Sequence, residues 1–275
     1  MLHLRMTWPE ICEHYARQAS HMLSDRDGFL AWMNTKEAIG GGRPIAGPEV
    51  YAYAYGVARK LRRRDHDHFT VVCGREGSGK SWAAAAIASL VSPTFRNDSI
   101  LFEPGDVVQA FKTAQPEETV HIDEGVLFLF SRTALSSDNV ATTTIFQLIR
   151  QRYLHIVVCI PQFKDLDTYV RKHRTDTLVY MKQKGHPRFY LKGAVDIINE
   201  VYPKTKNKVT AVKVPTKFWF DGRIRKLFPT INDLSIESYE RSKSRNLDET
   251  LDRIGSKLRK GRNNVPMPRE AVGDG

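Results

Sequence analysis

Eight residues, GREGSGKS from Gly74 to Ser81, fit the spacing G-x-x-x-x-G-K-[ST] of a loop that cradles nucleotide phosphates. An apolar run, HFTVVC, precedes them and an alanine-rich run, WAAAAIASL, follows, so the loop joins a strand to a helix. In that setting successive backbone N–H groups and the positive helix end converge on phosphate oxygens. Gly74, Gly77 and Gly79 remove the β-carbons that would block so close an approach. Lys80 would reach the β and γ phosphates, and Ser81 would hold a magnesium ion. The expected nucleotide-binding residues are therefore Gly74, Arg75, Glu76, Gly77, Ser78, Gly79, Lys80, Ser81 and Trp82, with ATP and Mg2+ as cofactors.

About forty residues further on, VHIDEG ends an apolar strand in two carboxylates. Asp123 is the expected second magnesium partner, direct or through water, beside Ser81. Glu124 is placed to polarise an attacking water, which turns nucleotide binding into hydrolysis. Gln162, just beyond the apolar run HIVVCIP, could sense the γ phosphate, so Lys80, Glu124 and Gln162 form the expected catalytic set.

The elements that must carry these groups follow from periodicity. From His68 to Lys184, short apolar runs alternate with helical segments, as a mainly parallel sheet covered by helices on both faces requires. Strands are expected at HFTVVCG, SILFEP, TVHIDEG, LHIVVCIPQ and DTLVYMK. Helices are expected after the loop, over 105–113, 139–152 and 165–173. Upstream, residues 1–65 read as a helical extension: one helix from Trp8, one over 27–39, and one opening at Pro48 whose Tyr51, Tyr53 and Tyr55 alternate awkwardly for a helix. Residues 66–184 form the expected phosphate-loop core, and 185–262 a basic appendage with strand-like RFYLKG and TAVKVPTKFWF and a charged helix from Ser235. Residues 263–275 form a tail with too little apolar surface to fold.

The net charge of +11 is unevenly placed. Between Arg171 and Lys226 stand fifteen Lys or Arg against four Asp or Glu, an excess that points to a polyanion such as nucleic acid, and next to an acidic membrane surface. Arg62, Arg63 and Arg64, together with Lys182 and Lys184, are the candidate DNA contacts. No run of 18 apolar residues is present, so no transmembrane segment is expected. The first residues lack the pattern of a secretory signal, so a cytoplasmic location follows. Cys12, Cys73 and Cys159 show no CxxC spacing and read as buried reduced thiols.

With GREGSGKS, VHIDEG and PQFKDLDTYVRKHRTDTLVYM in view, the chain resembles the FtsK–HerA group of DNA-translocating ATPases, especially the compact packaging ATPases of membrane-containing viruses. Gln162 and Asp167 fall where that group carries a glutamine and an aspartate, whereas Phe163 and Lys164 replace its usual arginine and proline. The resemblance covers roughly residues 68–184. It implies an additional-strand (RecA/ASCE-like) P-loop fold, in which an extra strand separates the two motifs, and SILFEP is the segment expected to supply it. It further implies a homo-oligomeric ring, commonly a hexamer, on double-stranded DNA. A capsid or membrane-associated partner, virion association and an arginine acting on the neighbouring subunit's site also follow, with Arg132, Arg150 and Arg152 as the candidates. Two other tasks remain open to the same core. One is a helicase loader or transposition helper of the AAA+ kind, whose helical lid is not evident after the fifth strand. The other is an assembly ATPase resembling the zonular-occludens-toxin family, which commonly carries a transmembrane segment.

Overall fold

The computed structural model describes residues 6–123, 149–201, 209–225, 229 and 231–263. Helices α1 (Trp8–Gln18), α2 (Arg26–Asn34) and α3 (Pro48–Arg62) precede strand β1 (His68–Cys73) and helix α4 (Lys80–Val91). Strand β2 (Ile100–Leu101), helix α5 (Pro104–Thr113) and strands β3 (Thr119–Ile122), β4 (His155–Ile160), β5 (Thr177–Gln183) and β6 (His186–Tyr190) follow. Helix α6 (Lys192–Val201), strand β7 (Trp219–Asp221) and helix α7 (Ile236–Asn263) complete the chain. The strands form one sheet in the order β2-β3-β4-β1-β5-β6-β7. The first five are parallel, and β6 and β7 extend the sheet antiparallel from β5. The result is a mixed α/β fold with a seven-stranded, mostly parallel sheet flanked by helices.

Alternation across the pleat sorts the strand residues to two apolar layers. Val72, Val157, Cys159, Val179 and Met181 face α1 to α4, while Phe69, Val71, Ile156, Val158 and Leu178 face α5 and α6. Residues 1–65 are thus not a mere extension, because α1, α2 and α3 build the core on one side of the sheet. The tyrosine alternation in α3 has the same cause. Tyr53 turns to the sheet and meets His68 and Phe189, while Tyr51 and Tyr55 turn to Tyr15, Phe29 and Trp32 of α1 and α2. A helix sandwiched between a sheet and two other helices buries apolar groups all round.

Several expectations are corrected. SILFEP contributes only the two-residue β2 at the sheet edge; the strand that separates β1 from β3 is β4, which follows both motifs in sequence. The boundary expected after residue 184 falls inside the sheet, at the β5–β6 turn, and the described residues divide into two compact units after Ile236. KGAVDIINEV, left without an element by its charged and apolar mixture, is helix α6, with Ala194, Val195 and Ile198 buried at helical spacing. TAVKVPTKFWF is mainly two short 3-10 turns and forms a strand only at Trp219–Asp221. In place of the helix expected over 165–173 stand a 3-10 turn, Phe163–Asp165, just before it and a π-helical turn, Val170–Arg174, at its end. The helix expected over 139–152 lies outside the described residues except for a 3-10 turn, Ile149–Arg152. The tail after 263 lies outside them too. The second unit presents the charged helix α7, with Leu247 and Leu251 exposed one turn apart. No helix among the described residues is long and apolar enough to cross a membrane.

Candidate active site

Three parallel strands, β1, β4 and β3, end side by side and deliver the expected chemistry to one edge of the sheet. From β1 comes the glycine-rich loop, whose Gly74, Gly77 and Gly79 have φ of 154°, 69° and 83°. At 69° and 83° a side chain is strained, which is why glycine stands there. At Gly74 space also decides: a β-carbon would lie 2.8 Å from Met181 Cβ and 3.0 Å from its carbonyl oxygen. Gly79 is the N-cap of α4, so the positive end of a twelve-residue helix opens directly behind the loop.

Lys80 is 6% exposed, and its ammonium donates to the carbonyl oxygens of Gly74 (3.1 Å) and Arg75 (3.3 Å). The lysine therefore spans the mouth of its own loop, where an incoming phosphate would take over those hydrogen bonds. Ser78 Oγ is buried without a hydrogen-bond partner. A buried orphan hydroxyl on a glycine-rich loop at the N-terminus of α4 suits a phosphate ligand, so the loop fits the nucleotide that its sequence implies. Arg75, Glu76 and Gly77 are exposed at the loop's tip, and Trp82 is partly buried in the first turn of α4.

From β3 comes Asp123, 2% exposed and one residue past the strand. Its two carboxylate oxygens each lie 3.2 Å from Ser81 Oγ, although 42 residues and strand β4 separate the two. A serine hydroxyl and a carboxylate at that separation are a donor set suited to a hard, oxygen-loving divalent cation such as Mg2+. Behind Asp123 on the same strand face, His121 Nε2 stands 3.4 Å from Cys159 Sγ. Ligand atoms of His121, Asp123 and Cys159 all lie within 4.8 Å of one another, a cluster that sequence spacing could not reveal because β4 supplies one member. All three cysteines are buried and none is in a disulfide, and burial pushes the Cys73 thiol up to about 12.

From β4 comes Gln162, exposed at the strand's end, where the preceding Pro161 carbonyl accepts the Gly74 N–H at 3.2 Å. The glutamine backbone N–H is in turn fixed by Asp165 Oδ2 at 3.0 Å, so the turn carrying it is tied down. Glu124 and Arg132 lie outside the described residues.

Other expected residues gather elsewhere. Arg150 and Arg152 are exposed on the turn before β4, and Arg62, Arg63 and Arg64 are exposed on the segment leading into β1. Because His68 pairs with His155, both groups stand at the strand starts, roughly 20 Å from the loop along a six-residue strand. Arg62 lies 3.6 Å from Glu117 there. Lys182 is paired with Asp221 at 2.8 Å, a carboxylate also held by Arg188, which keeps its carboxyl well down, at about 2. Lys184 lies against the phosphate loop, with its ammonium 5.0 Å from the centre of the Trp82 ring. Part of the basic excess is internal: Arg174 is buried against Asp67 as an ion pair between the leads into β5 and β1.

No family model matches the chain, and no curated protein does. Among solved structures, the fold is similar to the N-terminal domain of zonular occludens toxin from Neisseria meningitidis, at 14% identity and a TM-score of 0.36, covering 64% of this chain and 98% of that one. It is also similar to the genome packaging NTPase B204 from Sulfolobus turreted icosahedral virus 2, in complex with AMP, at 13% identity and a TM-score of 0.32, covering 60% and 97%. Likenesses this distant carry no function from those proteins to this one.

Proposed function

We propose that this chain is a Mg2+-dependent ATP hydrolase whose turnover moves double-stranded DNA, and that it works as a homo-oligomeric ring. One observation carries the enzymatic half: Ser81 of the phosphate loop and Asp123 of a separate strand meet at 3.2 Å, with Lys80 buried across the loop beside them. In this reading the loop holds the phosphates, Lys80 neutralises charge on the β and γ groups, and Ser81 with Asp123 holds the ion. Mg2+ held there would supply positive charge that offsets the charge of the phosphates. Glu124 directly follows Asp123 and takes the role of polarising water. Gln162, ending the strand between β1 and β3, takes the role of sensing the γ phosphate.

The DNA half rests on charge. Arg62, Arg63, Arg64, Arg150 and Arg152 are exposed at the end of the sheet away from the loop. None of them can reach the loop of its own subunit across that length. A role for Arg150 or Arg152 in nucleotide chemistry is thus a role at a neighbour's site, and Arg132 remains the third candidate. A capsid or membrane-associated protein would anchor such a ring.

The test is the steady-state ATPase rate with and without long duplex DNA across a salt series, for the wild type, Lys80→Ala and Glu124→Gln. DNA stimulation should fade with salt, and the DNA affinity read from its half-saturation should fall with a slope near −0.9 per neutralised phosphate on logarithmic axes. Lys80→Ala should lose nucleotide-dependent activity, and Glu124→Gln should bind ATP but turn over slowly. Normal turnover by Glu124→Gln would overturn the mechanism. Glutamate-dependent turnover indifferent to DNA would move the reading to a motor acting on protein or membrane assembly.

A further inference from the structure

The turn between β5 and β6 lies on the phosphate loop. Met181 closes over Gly74, as described, and a β-carbon added to Gly79 would stand 3.4 Å from Lys184 Cγ. The turn is held from behind. Ile224 N–H donates to the Gly185 carbonyl at 2.9 Å, and a β-carbon on Gly185, at φ 84°, would stand 2.8 Å from the Ile224 carbonyl oxygen. Residues 223–225 are anchored in turn to the segment before α3: Gly47 N–H donates to Arg223 O at 2.7 Å, and Arg225 N–H to Ile45 O at 2.8 Å. Two layers of backbone hydrogen bonds thus fix where Lys184 leaves the chain. Its side chain is exposed, and no carboxylate among the described residues forms an ion pair with it, unlike Lys182 two residues earlier.

We propose that Lys184 is a nucleotide-binding residue, supplied to the phosphate loop by the β5–β6 turn. The proposal rests on the phosphate-loop reading above. The lysine stem runs beside the loop at Gly79, where a β-carbon would meet it at 3.4 Å, and its ammonium lies over Trp82, in the first turn of α4. That is the part of the motif that cradles the α and β phosphates, whereas Lys80 reaches toward β and γ. A cation over an aromatic ring is held less strongly than a cation in a charge-assisted hydrogen bond to a phosphate, so the phosphate is the stronger partner. On nucleotide binding, the flexible stem carries the ammonium from the Trp82 ring to the α or β phosphate. Both phosphates occur in ATP and ADP, so the contact holds the nucleotide through the cycle and does not read the γ phosphate.

The experiment measures ADP and ATP dissociation constants for the full chain with Mg2+, in the wild type, Lys184→Gln and Lys184→Arg, while following tryptophan emission. Lys184→Gln should weaken both nucleotides by like factors, about tenfold, and Lys184→Arg should keep most of the affinity. ADP should change the emission of the wild type, and this response should shrink in Lys184→Gln. In the wild type alone, ADP should protect Lys184 from acylation by acetic anhydride while exposed Lys112 on α5 stays reactive, a readout that needs no variant to fold. ADP affinity of Lys184→Gln within about twofold of wild type, weakening of ATP alone, or an unprotected Lys184 would each overturn the assignment. A wild type that binds neither nucleotide would overturn this proposal and the phosphate-loop reading together.

Discussion

Acidification should destabilise this protein through histidines buried beneath its nucleotide-site helices. His68, His155 and His121 lie on the sheet face covered by α3 and α4, at 7%, 0% and 0% exposure. Tyr53 Oη is 3.2 Å from His68 Nε2, Thr177 Oγ1 is 3.2 Å from the same nitrogen, and His155 sits between Thr70 and Thr119 at 3.1 Å from each. Lys60 Nζ, which can only donate, stands 3.4 Å from His68 Nδ1, so that nitrogen accepts and the proton resides on Nε2. Protonating Nδ1 would set two cations against each other in the core. Burial brings His68 down to about 4, with Asp176 pulling the other way, and puts His155 well below its usual range and His121 below it. A lowered folded value means that the unfolded chain takes up the proton first. Stability is therefore full above about 6.5 and is lost as pH falls from there toward the folded value. For His68, going from pH 7 to 5.5 costs about 1 kcal/mol, and His155 adds a loss of the same sign and similar size. The assay is urea denaturation of the wild type, His68→Gln and His155→Gln at the two pH values. Each variant should lose less stability on acidification than the wild type, by about 1 kcal/mol. Variants whose pH dependence matches the wild type would refute the claim that these rings fold as neutral groups.

Two further perturbations test the packing around the site. Gly74→Ala should destabilise by about 1–3 kcal/mol and lower nucleotide affinity, because the new carbon meets backbone as well as side chain at Met181; thermal unfolding with and without ADP checks both. Arg174→Met leaves Asp67 buried without its partner and should cost about 3–5 kcal/mol, and adding Asp67→Asn should recover part of that loss in denaturant melts.

Much of the site was legible one segment at a time. The GREGSGKS loop needs glycines at positive φ, a lysine and a helix behind it, and all are neighbours in the chain, so local spacing identifies them. Largely apolar runs likewise marked β1, β3, β4 and β5, because strands covered on both faces are mostly apolar. Helix α6 was missed because the charges at Lys192, Asp196 and Glu200 obscure a buried stripe that only packing on the sheet reveals. The tyrosines of α3 misled because sequence period assumes one buried face, and this helix has two.

The residue types, the loop's backbone conformations and the alternation of strand and helix were set by local chemistry, since each depends on groups within a few positions of one another. Strand order was not, because any of several parallel arrangements would bury the same apolar runs. Only the fold inserted β4 between β1 and β3, brought Ser81 to Asp123 across 42 residues, and sent the arginines before β1 and β4 to the far end of the sheet. It also turned Lys184 from a charge in a basic run into a neighbour of the phosphate loop. That placement depends on a turn pinned by Ile224 and, through residues 223–225, by the segment before α3. Contacts between segments so far apart in sequence leave no periodicity to read.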